Sequence, residues 1–410
     1  MAVAKTTNTA AKVPQSQEEL ISGSEAVAQA LRLADVDVIS AYPIRPYDTV
    51  MQYVSKLIAD GRLDCEFIVA ESEHSQFEIV KHACSVGARA FCGSSGVGWM
   101  YAMECLAVTP SLRLPYLAIC GNRALDDPGA FGTEHNDAMC VRDLGWMLYW
   151  VETAQEALDM TLIGYRAAED QRLSLPCALC LDGAFLTHSA QIVSVPPQGL
   201  VNSYLPRFDL GDRVLHPDNP ISIAPQANED WLMEIRKQMD AAMRRAPDVI
   251  RQAHGEFHKT FGRQGGSPFI EEYMTDDAET VLVGMGTMAS PVRVMVRKLR
   301  AQGEKVGFVR VKWFRPFGTE EIRASLSRFK AVGVVDRDFS LGASDMGGVL
   351  YNDVRATMYD APRRPAIAGF IAGLGGREIE EKDVLEMFRR TQQAGADGRG
   401  GEVTWIGVRE

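Results

Sequence analysis

The chain has 410 residues, 46% of them hydrophobic and 24% charged, which is ordinary soluble globular composition with length for two or three domains. A net charge of −11 argues against a nucleic-acid groove or an anionic membrane surface as partner. No apolar run approaches a membrane span and no signal-peptide core opens the chain, so a cytoplasmic protein is expected.

Met1 to Gln17 is polar, and residues 1–20 read as a flexible tail. From Ser22 onward helix and strand patterns alternate. Ser24 reads as the N-cap of a helix with Val27, Ala30, Leu31 and Ala34 on one face. A strand, Val36–Ile39, leads into the loop Ser40-Ala-Tyr-Pro-Ile-Arg-Pro46. Apolar residues at Val50, Val54, Leu57 and Ile58 mark the helix that follows. Each proline fixes its own φ and pushes the residue before it into an extended conformation. The loop therefore holds Ile44 and Arg45 in one pose at a strand's carboxyl end, where open α/β sheets bind ligands. A guanidinium placed there suits bidentate capture of a carboxylate. A tight turn with a solvated arginine explains the same residues equally well.

Cys65–Ala70 reads as a buried strand, Glu71–Gly87 as a helix and Arg89–Ser94 as another strand. Ser94-Ser95-Gly96-Val97-Gly98 then precedes an apolar helix, Trp99–Val108. Strand Tyr116–Cys120 opens into a polar loop from Gly121 to about Asn136. Helix Ala154–Asp170 and strand Cys177–Leu181 complete a first unit, residues 21–195. Strands separated by helical patterns imply a mostly parallel sheet covered on both faces. Residues 196–270 read as an extended connection, rich in proline up to Pro225, with a charged helix from Asp230 to Phe261. A second α/β unit spans 271–392. Its elements are strand Val281–Val283, helix Pro291–Gln302, strand Val306–Lys312, helix Glu320–Phe329 and strand Ala331–Val335. Residues 393–410 form a tail in which Ala394–Gly401 reads as a loose linker.

The chemistry-bearing motifs are few. Gly284-Met-Gly286 reads as a tight strand-to-helix turn rather than a dinucleotide fingerprint. Phosphate-loop, His-Glu-x-x-His and Gly-x-Ser-x-Gly motifs are missing, and no metal is expected on this chain. Cys177 and Cys180 form a Cys-x-x-Cys inside a strand, without the second pair of a zinc site, and the eight cysteines read as reduced thiols. Three places are denser than structure requires. Glu71-Ser-Glu73-His74 opens a helix, where acidic residues complement the macrodipole. A carboxylate there can also share a proton with a ring nitrogen if burial raises its pKa. Ser94-Ser95-Gly96 allows close approach of a ligand or of another backbone. The loop holding Arg123, Asp126, Asp127, Glu134, His135, Asn136 and Asp137 is either a surface excursion or a substrate cover.

Taken in order, Tyr42-Pro43-Ile44-x-Pro46, Glu71-x-Glu73, Gly87-Ala88-Arg89, Ser94-Ser95-Gly96, Arg123 and His135-Asn136-Asp137 resemble the alpha subunit of pyruvate:ferredoxin-type 2-oxoacid oxidoreductases. Val309-Arg-Val-Lys-Trp-Phe-Arg315-Pro316-Phe317 resembles that family's second domain. The resemblance implies an α/β fold with a thiamine diphosphate (pyrimidine-type) parallel-sheet domain. A smaller α/β domain like the transketolase C-terminal domain follows it. Glu73, or Glu71 in its place, would face N1′ of the aminopyrimidine, with Arg123 as a second catalytic residue. Tyr42, Pro43, Ser94, Ser95 and Gly96 would line the cofactor.

Arg45 stands where the family usually has Thr, as in oxalate oxidoreductase, and with Arg123 would suit a dianion. Ala130 and Phe131, with Ile44, Tyr47 and Trp99 nearby, would instead border a ring. The leading expectation is an aromatic acid, phenylglyoxylate, decarboxylated oxidatively to benzoyl-CoA and CO2 as in phenylglyoxylate dehydrogenase. Oxalate oxidoreductase and pyruvate:ferredoxin oxidoreductase alpha subunits are the alternatives, followed by a non-redox transketolase-like enzyme and a non-catalytic scaffold. The chain lacks the Gly-Asp-Gly…Asn pattern that holds Mg²⁺ and diphosphate, and any run of cysteines for a cluster. A thiamine-diphosphate-binding beta subunit, a gamma subunit, an iron–sulfur subunit and a flavin/NAD subunit are therefore expected. They would bring Mg²⁺, 4Fe–4S clusters and FAD, carry electrons to NAD or ferredoxin, and pass the acyl group to coenzyme A.

Overall fold

The structure is a computed structural model that describes residues 16–409. The expected tail lies outside the described residues up to position 15, but its last part is strand. The chain begins with β1 (Gln17–Ser22), α1 (Gly23–Leu33), β2 (Val38–Ala41), α2 (Asp48–Ala59) and β3 (Glu66–Val69). It continues with α3 (Glu73–Ser85), β4 (Ala90–Ser94), α4 (Gly96–Tyr101), α5 (Met103–Leu112) and β5 (Leu117–Asn122). Then come α6 (Asn136–Met139), β6 (Met147–Val151), α7 (Ala154–Ala168), β7 (Cys177–Asp182), β8 (Ala190–Val195) and α8 (Gln198–Tyr204). The 34-residue α9 (Asn228–Phe261) leads to the second unit. That unit contains β9 (Ile270–Tyr273), β10 (Thr280–Gly284), α10 (Ala289–Ala301), β11 (Val306–Val311), β12 (Trp313–Arg315) and α11 (Thr319–Leu326). It closes with β13 (Ala331–Asp336), α12 (Val349–Met358), β14 (Ala366–Ile371), α13 (Glu381–Asp397) and β15 (Thr404–Trp405).

The cap of α1 is Ser22, not Ser24. Ser22 Oγ accepts the Glu25 N–H at 3.2 Å while the Glu25 carboxylate accepts the Ser22 N–H at 2.9 Å, a reciprocal pair that fixes the helix start. Ser24 instead sits 2.6 Å from Thr49 Oγ1 and ties α1 to α2.

The first sheet has seven strands in the order β12-β6-β7-β5-β4-β2-β3, all parallel except β12. Strands β4, β5, β6 and β7 are buried along their whole length, as a parallel sheet covered on both faces demands. Strand β3, expected to be buried, is the sheet's edge and is largely exposed. The smaller sheet runs β15-β14-β13-β10-β11-β9, with β9 alone antiparallel. The residues expected as a loose linker from Ala394 are helical as far as Asp397.

The two units interlock beyond the boundaries that periodicity predicts. Trp313–Arg315 leaves the second sheet to pair with Leu148 and Tyr149 on the edge of the first. Three residues earlier in the same run, buried Arg310 reaches across to Glu156 Oε2 (2.5 Å), Glu152 Oε2 (3.1 Å) and the Trp150 carbonyl (2.9 Å). A guanidinium with this many acceptors keeps its charge when buried, because each hydrogen bond replaces one to water. Among the described residues no helix is long and apolar enough to cross a membrane.

Candidate active site

Strands β2, β4, β5 and β7 are parallel neighbours or near neighbours, so their carboxyl ends open onto one edge. The chain leaves β2 toward β3 on one side and leaves β4 toward β5 on the other. Such a divergence opens the crevice in which doubly wound sheets bind ligands. The proline loop, Ser95-Gly96, the Arg123 loop and Asp182 all lie on that edge.

The proline loop is anchored at both ends and exposed between them. Buried Gln76 of α3 accepts the Tyr42 N–H at 2.8 Å and donates to the Gly93 carbonyl at 2.7 Å. The Tyr47 N–H donates to Ser95 Oγ at 3.3 Å. The Tyr47 ring lies under β4, where a Cβ at Gly93 would stand 2.3 Å from it. Tyr47 is thus a core residue, 1% exposed, and does not border the open edge. Trp99 is likewise fully buried, edge-on to Phe77. Pro43 and Arg45 are exposed. The Arg45 side chain is 77% exposed, and its contact is Asp48 at 3.8 Å, too long for a strong pair.

Ser72 caps α3 by accepting the Ser75 N–H at 3.1 Å, which makes Glu73 the first helical residue and turns it inward. Glu73 is 8% exposed. Glu71 lies outside the helix in solvent, and the Ser75 hydroxyl, 2.8 Å away, holds its carboxyl below the usual range. Glycine at 98 makes room for the inward carboxylate. A Cβ there would stand 2.3 Å from Glu73 Oε1 and 2.6 Å from Ile44 Cδ1. Glu73, Ile44 and Gly98 therefore form one corner.

The Arg123 loop is built around Asp137, which motif reading had placed beside the site without a role. Its carboxylate accepts the N–H groups of Gly96 (3.0 Å), Arg123 (3.0 Å) and Ala138 (2.7 Å) and the Asn122 amide (2.8 Å). Burial still pushes the Asp137 carboxyl above its ordinary range against those four donors. Gly96 has a φ of +51°, which favours glycine at this turn. The Arg123 guanidinium is fully engaged. It bonds Asp126, the Ala130 carbonyl (3.4 Å) and the Arg45 carbonyl (3.3 Å), and lies 4.6 Å from the centre of the Phe131 ring. Phe131 is exposed, with one face on Arg123. Ala130 is half-buried at the same turn, and its N–H donates to Asp126 at 2.9 Å. Ser94 is fully buried, and its hydroxyl has no partner.

Asp182 escaped sequence reasoning, although an acid closing an apolar strand is a visible signal. It is fully buried and accepts from His135 Nε2 (2.7 Å), the Thr287 N–H (2.8 Å) and Arg337 Nη1 (3.0 Å). Arg337 and His135 beside it hold the Asp182 carboxyl well below the usual range against the penalty of burial. Gly286 completes the contact, since a Cβ there would meet Asp182 Oδ2 at 2.8 Å. The Gly-x-Gly turn is thus a domain junction. The polar loop is fastened to the second unit as well, by His135 N–H to the Arg337 carbonyl (2.9 Å) and Gly376 N–H to the Thr133 carbonyl (2.9 Å). Cys177 and Cys180, three apart on β7, point to opposite faces and are fully buried, so they form no shared site.

The fold is that of thiamine-diphosphate-dependent α/β enzymes. A 2-oxoglutarate:ferredoxin oxidoreductase from Magnetococcus marinus superposes with a TM-score of 0.68 at 17% identity, over 93% of this chain and 66% of that one. A split-gene transketolase, an inactive beta4 tetramer, superposes at 0.52 and 11% identity over 92% of this chain and all of that one. Within that class the family is defined by sequence. Residues 29–255 match the thiamine-diphosphate-binding model of pyruvate flavodoxin/ferredoxin oxidoreductases, and 278–384 match pyruvate:ferredoxin oxidoreductase core domain II. The chain is 38% identical to pyruvate synthase subunit PorA of Methanothermobacter thermautotrophicus over 96% of its length and 98% of the relative's. It is 34% identical to ketoisovalerate oxidoreductase subunit VorA of Pyrococcus abyssi, over 95% and 97%. The chain belongs to the pyruvate flavodoxin/ferredoxin oxidoreductase family.

Proposed function

We propose that this chain is the alpha subunit of a CoA-acylating 2-oxoacid oxidoreductase acting on pyruvate, with ferredoxin or flavodoxin as the electron acceptor. The observation that carries the reading is the near full-length likeness to pyruvate synthase subunits. The aromatic substrate loses its support on physical grounds. Tyr47 and Trp99 are packed in the core, and Phe131 is committed to Arg123. With Tyr47 and Trp99 in the core, two of the residues expected to border a ring are withdrawn from the edge, and phenylglyoxylate and an NAD-linked flavin partner give way to pyruvate and ferredoxin.

The corner at Glu73 fits the cofactor's pyrimidine end, because the carboxylate occupies space that a Cβ at Gly98 would fill and lies at the carboxyl edge of the sheet. Thiamine diphosphate, when bound, supplies the nucleophile and the electron sink for decarboxylation. Glu73 holds the proton at the ring's N1′. Tyr42, Pro43 and the Ser94–Gly96 turn shape the space beside the ring. Arg45 takes the substrate carboxylate, for its guanidinium is exposed and weakly paired. Arg123 positions the proline loop through the Arg45 carbonyl. A partner subunit brings the Mg²⁺–diphosphate half and the iron–sulfur clusters.

The test is CoA-dependent reduction of ferredoxin by the assembled complex with pyruvate, 2-oxoisovalerate, phenylglyoxylate and oxalate. Pyruvate should give the highest kcat/KM. A preference for phenylglyoxylate or oxalate would overturn the substrate assignment. Activity without any electron acceptor would favour the transketolase-like reading instead.

A further inference from the structure

Next to the Glu73 corner, but not used by it, a set of metal-ligating side chains gathers where α3 packs on α5. His74, Glu78 and His82 recur every four residues and so lie along one face of α3. Cys105 and Glu104 meet them from α5. Donor atoms of His74, Glu78 and Cys105 all lie within 4.8 Å of one another. The Cys105 thiol donates to Glu78 Oε1 at 3.0 Å, and His74 Nε2 is 3.2 Å from Glu104 Oε2. His82 Nε2 is 3.2 Å from the other Glu78 oxygen, and Lys81 Nζ also bonds Glu78 Oε1.

Lys81 pairs with Glu78 and His74 hydrogen-bonds Glu104, while the buried Cys105 thiol points into the group and donates to Glu78 and toward the His74 carbonyl, 3.5 Å away. One nitrogen, one oxygen and one sulfur donor are the set that tetrahedral Zn²⁺ takes. Bonds of about 2.0–2.3 Å to zinc place neighbouring donors about 3.3–3.8 Å apart, so the Cys105–Glu78 pair is already close enough and the wider separations, at most 4.8 Å, need to close by about 1 Å. His74 and Glu78 can turn to do so, being 34% and 30% exposed, while Cys105 is fixed in the core.

We propose that His74, Glu78 and Cys105 bind Zn²⁺, with Glu104 or water as the fourth ligand, and that the ion fastens the first turn of α3 to α5. On binding, the Cys105 S–H bond breaks, a Zn–S bond forms, and the proton leaves to solvent. Lys81 gives up Glu78 Oε1 and turns outward. No oxidation change occurs. Because Glu73 immediately precedes His74, the ion would brace the catalytic corner without touching it.

The full chain, stripped by chelator and titrated with Co²⁺, should bind one equivalent with a thiolate-to-cobalt charge-transfer band and release of one proton. Zn²⁺ should displace the Co²⁺, and Mg²⁺ should not. C105S should lose the band. H74A, a surface change that leaves the core intact, should weaken binding by more than the roughly 10–100-fold typical of an outer-shell partner. H82A should keep the band. Zn²⁺ should raise the Tm of the native chain but not of H74A. Absence of the charge-transfer band in the native chain, or wild-type affinity in H74A, would overturn the proposal.

Discussion

Gly98→Ala probes the Glu73 corner without changing a titratable group. The added Cβ would stand 2.3 Å from Glu73 Oε1, 2.8 Å from Glu73 Cδ and 2.6 Å from Ile44 Cδ1. Contact distances between such atoms are about 3.5 Å, so the carboxylate must retreat by about 1 Å. These atoms lie at or near the ends of side chains that can rotate, so the backbone need not move. Overpacking of this kind costs about 1–3 kcal/mol, and alanine gains about 0.5–1 kcal/mol over glycine within a helix. The chain should therefore unfold within about 2 kcal/mol of wild type by urea titration. Catalysis should suffer far more, because a displacement of about 1 Å costs on the order of 10²-fold in rate. Glu73→Gln should lower turnover of the assembled complex by a similar factor of about 10² or more. The double variant should lose little beyond either single one, since both changes act on one group. Turnover near wild type in a correctly assembled Gly98→Ala complex would refute the assignment of Glu73.

Arg45→Thr should raise KM for the preferred 2-oxo acid about ten- to a hundredfold, the equivalent of roughly 1.5–3 kcal/mol for a charge-assisted pair, with cofactor content unchanged. An unchanged KM would end the carboxylate role. Asp182→Asn leaves Arg337 buried without its counter-charge and should destabilise the chain by about 3–5 kcal/mol in chemical denaturation. Because the folded Asp182 pKa is depressed, its contribution is present above an unfolded value of about 3.9 and is lost as pH falls below it, so wild type and variant should converge in acid. Glu134 has the opposite sign. Burial, with Asp137 and Asp338 nearby, raises its carboxyl to about 7, so its ionisation weakens the fold as pH rises from an unfolded value of about 4.3. Glu134→Gln should therefore gain stability relative to wild type at pH 8 but not at pH 4, measured as Tm across that range.

The parts of this structure that were legible in the sequence are those fixed by neighbours in the chain. Alternation of apolar runs gave the parallel sheets, and the prolines of residues 43 and 46 marked the loop at the β2 edge. What depended on distant contacts was not legible. Strand β12 is three residues long and exists because Trp313 and Arg315 find β6, which no local periodicity records. Strand β1 sits in a polar stretch and draws its register from β8, 172 residues away at the Leu20–Ile192 pair, where both side chains are exposed. Strand β6 was a visible apolar run, Met147 to Val151, lost beside a long polar loop. The facing of loop residues was hidden for the same reason. Tyr47 and Arg45 are two apart, yet one ring is packed beneath Gly93 and the other side chain stands in solvent.

That difference in facing decides where selectivity can reside. Arg123, Asp137 and Asp182 have their charges satisfied inside the protein, so each sets the shape of the edge and has little left to offer a ligand. Removing one would first disturb the loop or the domain junction and only then the substrate. Arg45 is different, since its carbonyl is held by Arg123 while its guanidinium has one distant partner. A backbone fixed at that point presents a free cation at low conformational cost, which is the condition for a charge-assisted fork to discriminate between carboxylates. On the proposed function, choice among 2-oxo acids at this edge would rest on a side chain whose backbone is rigid and whose head is weakly paired, while Glu73 would govern the rate for whichever acid is bound.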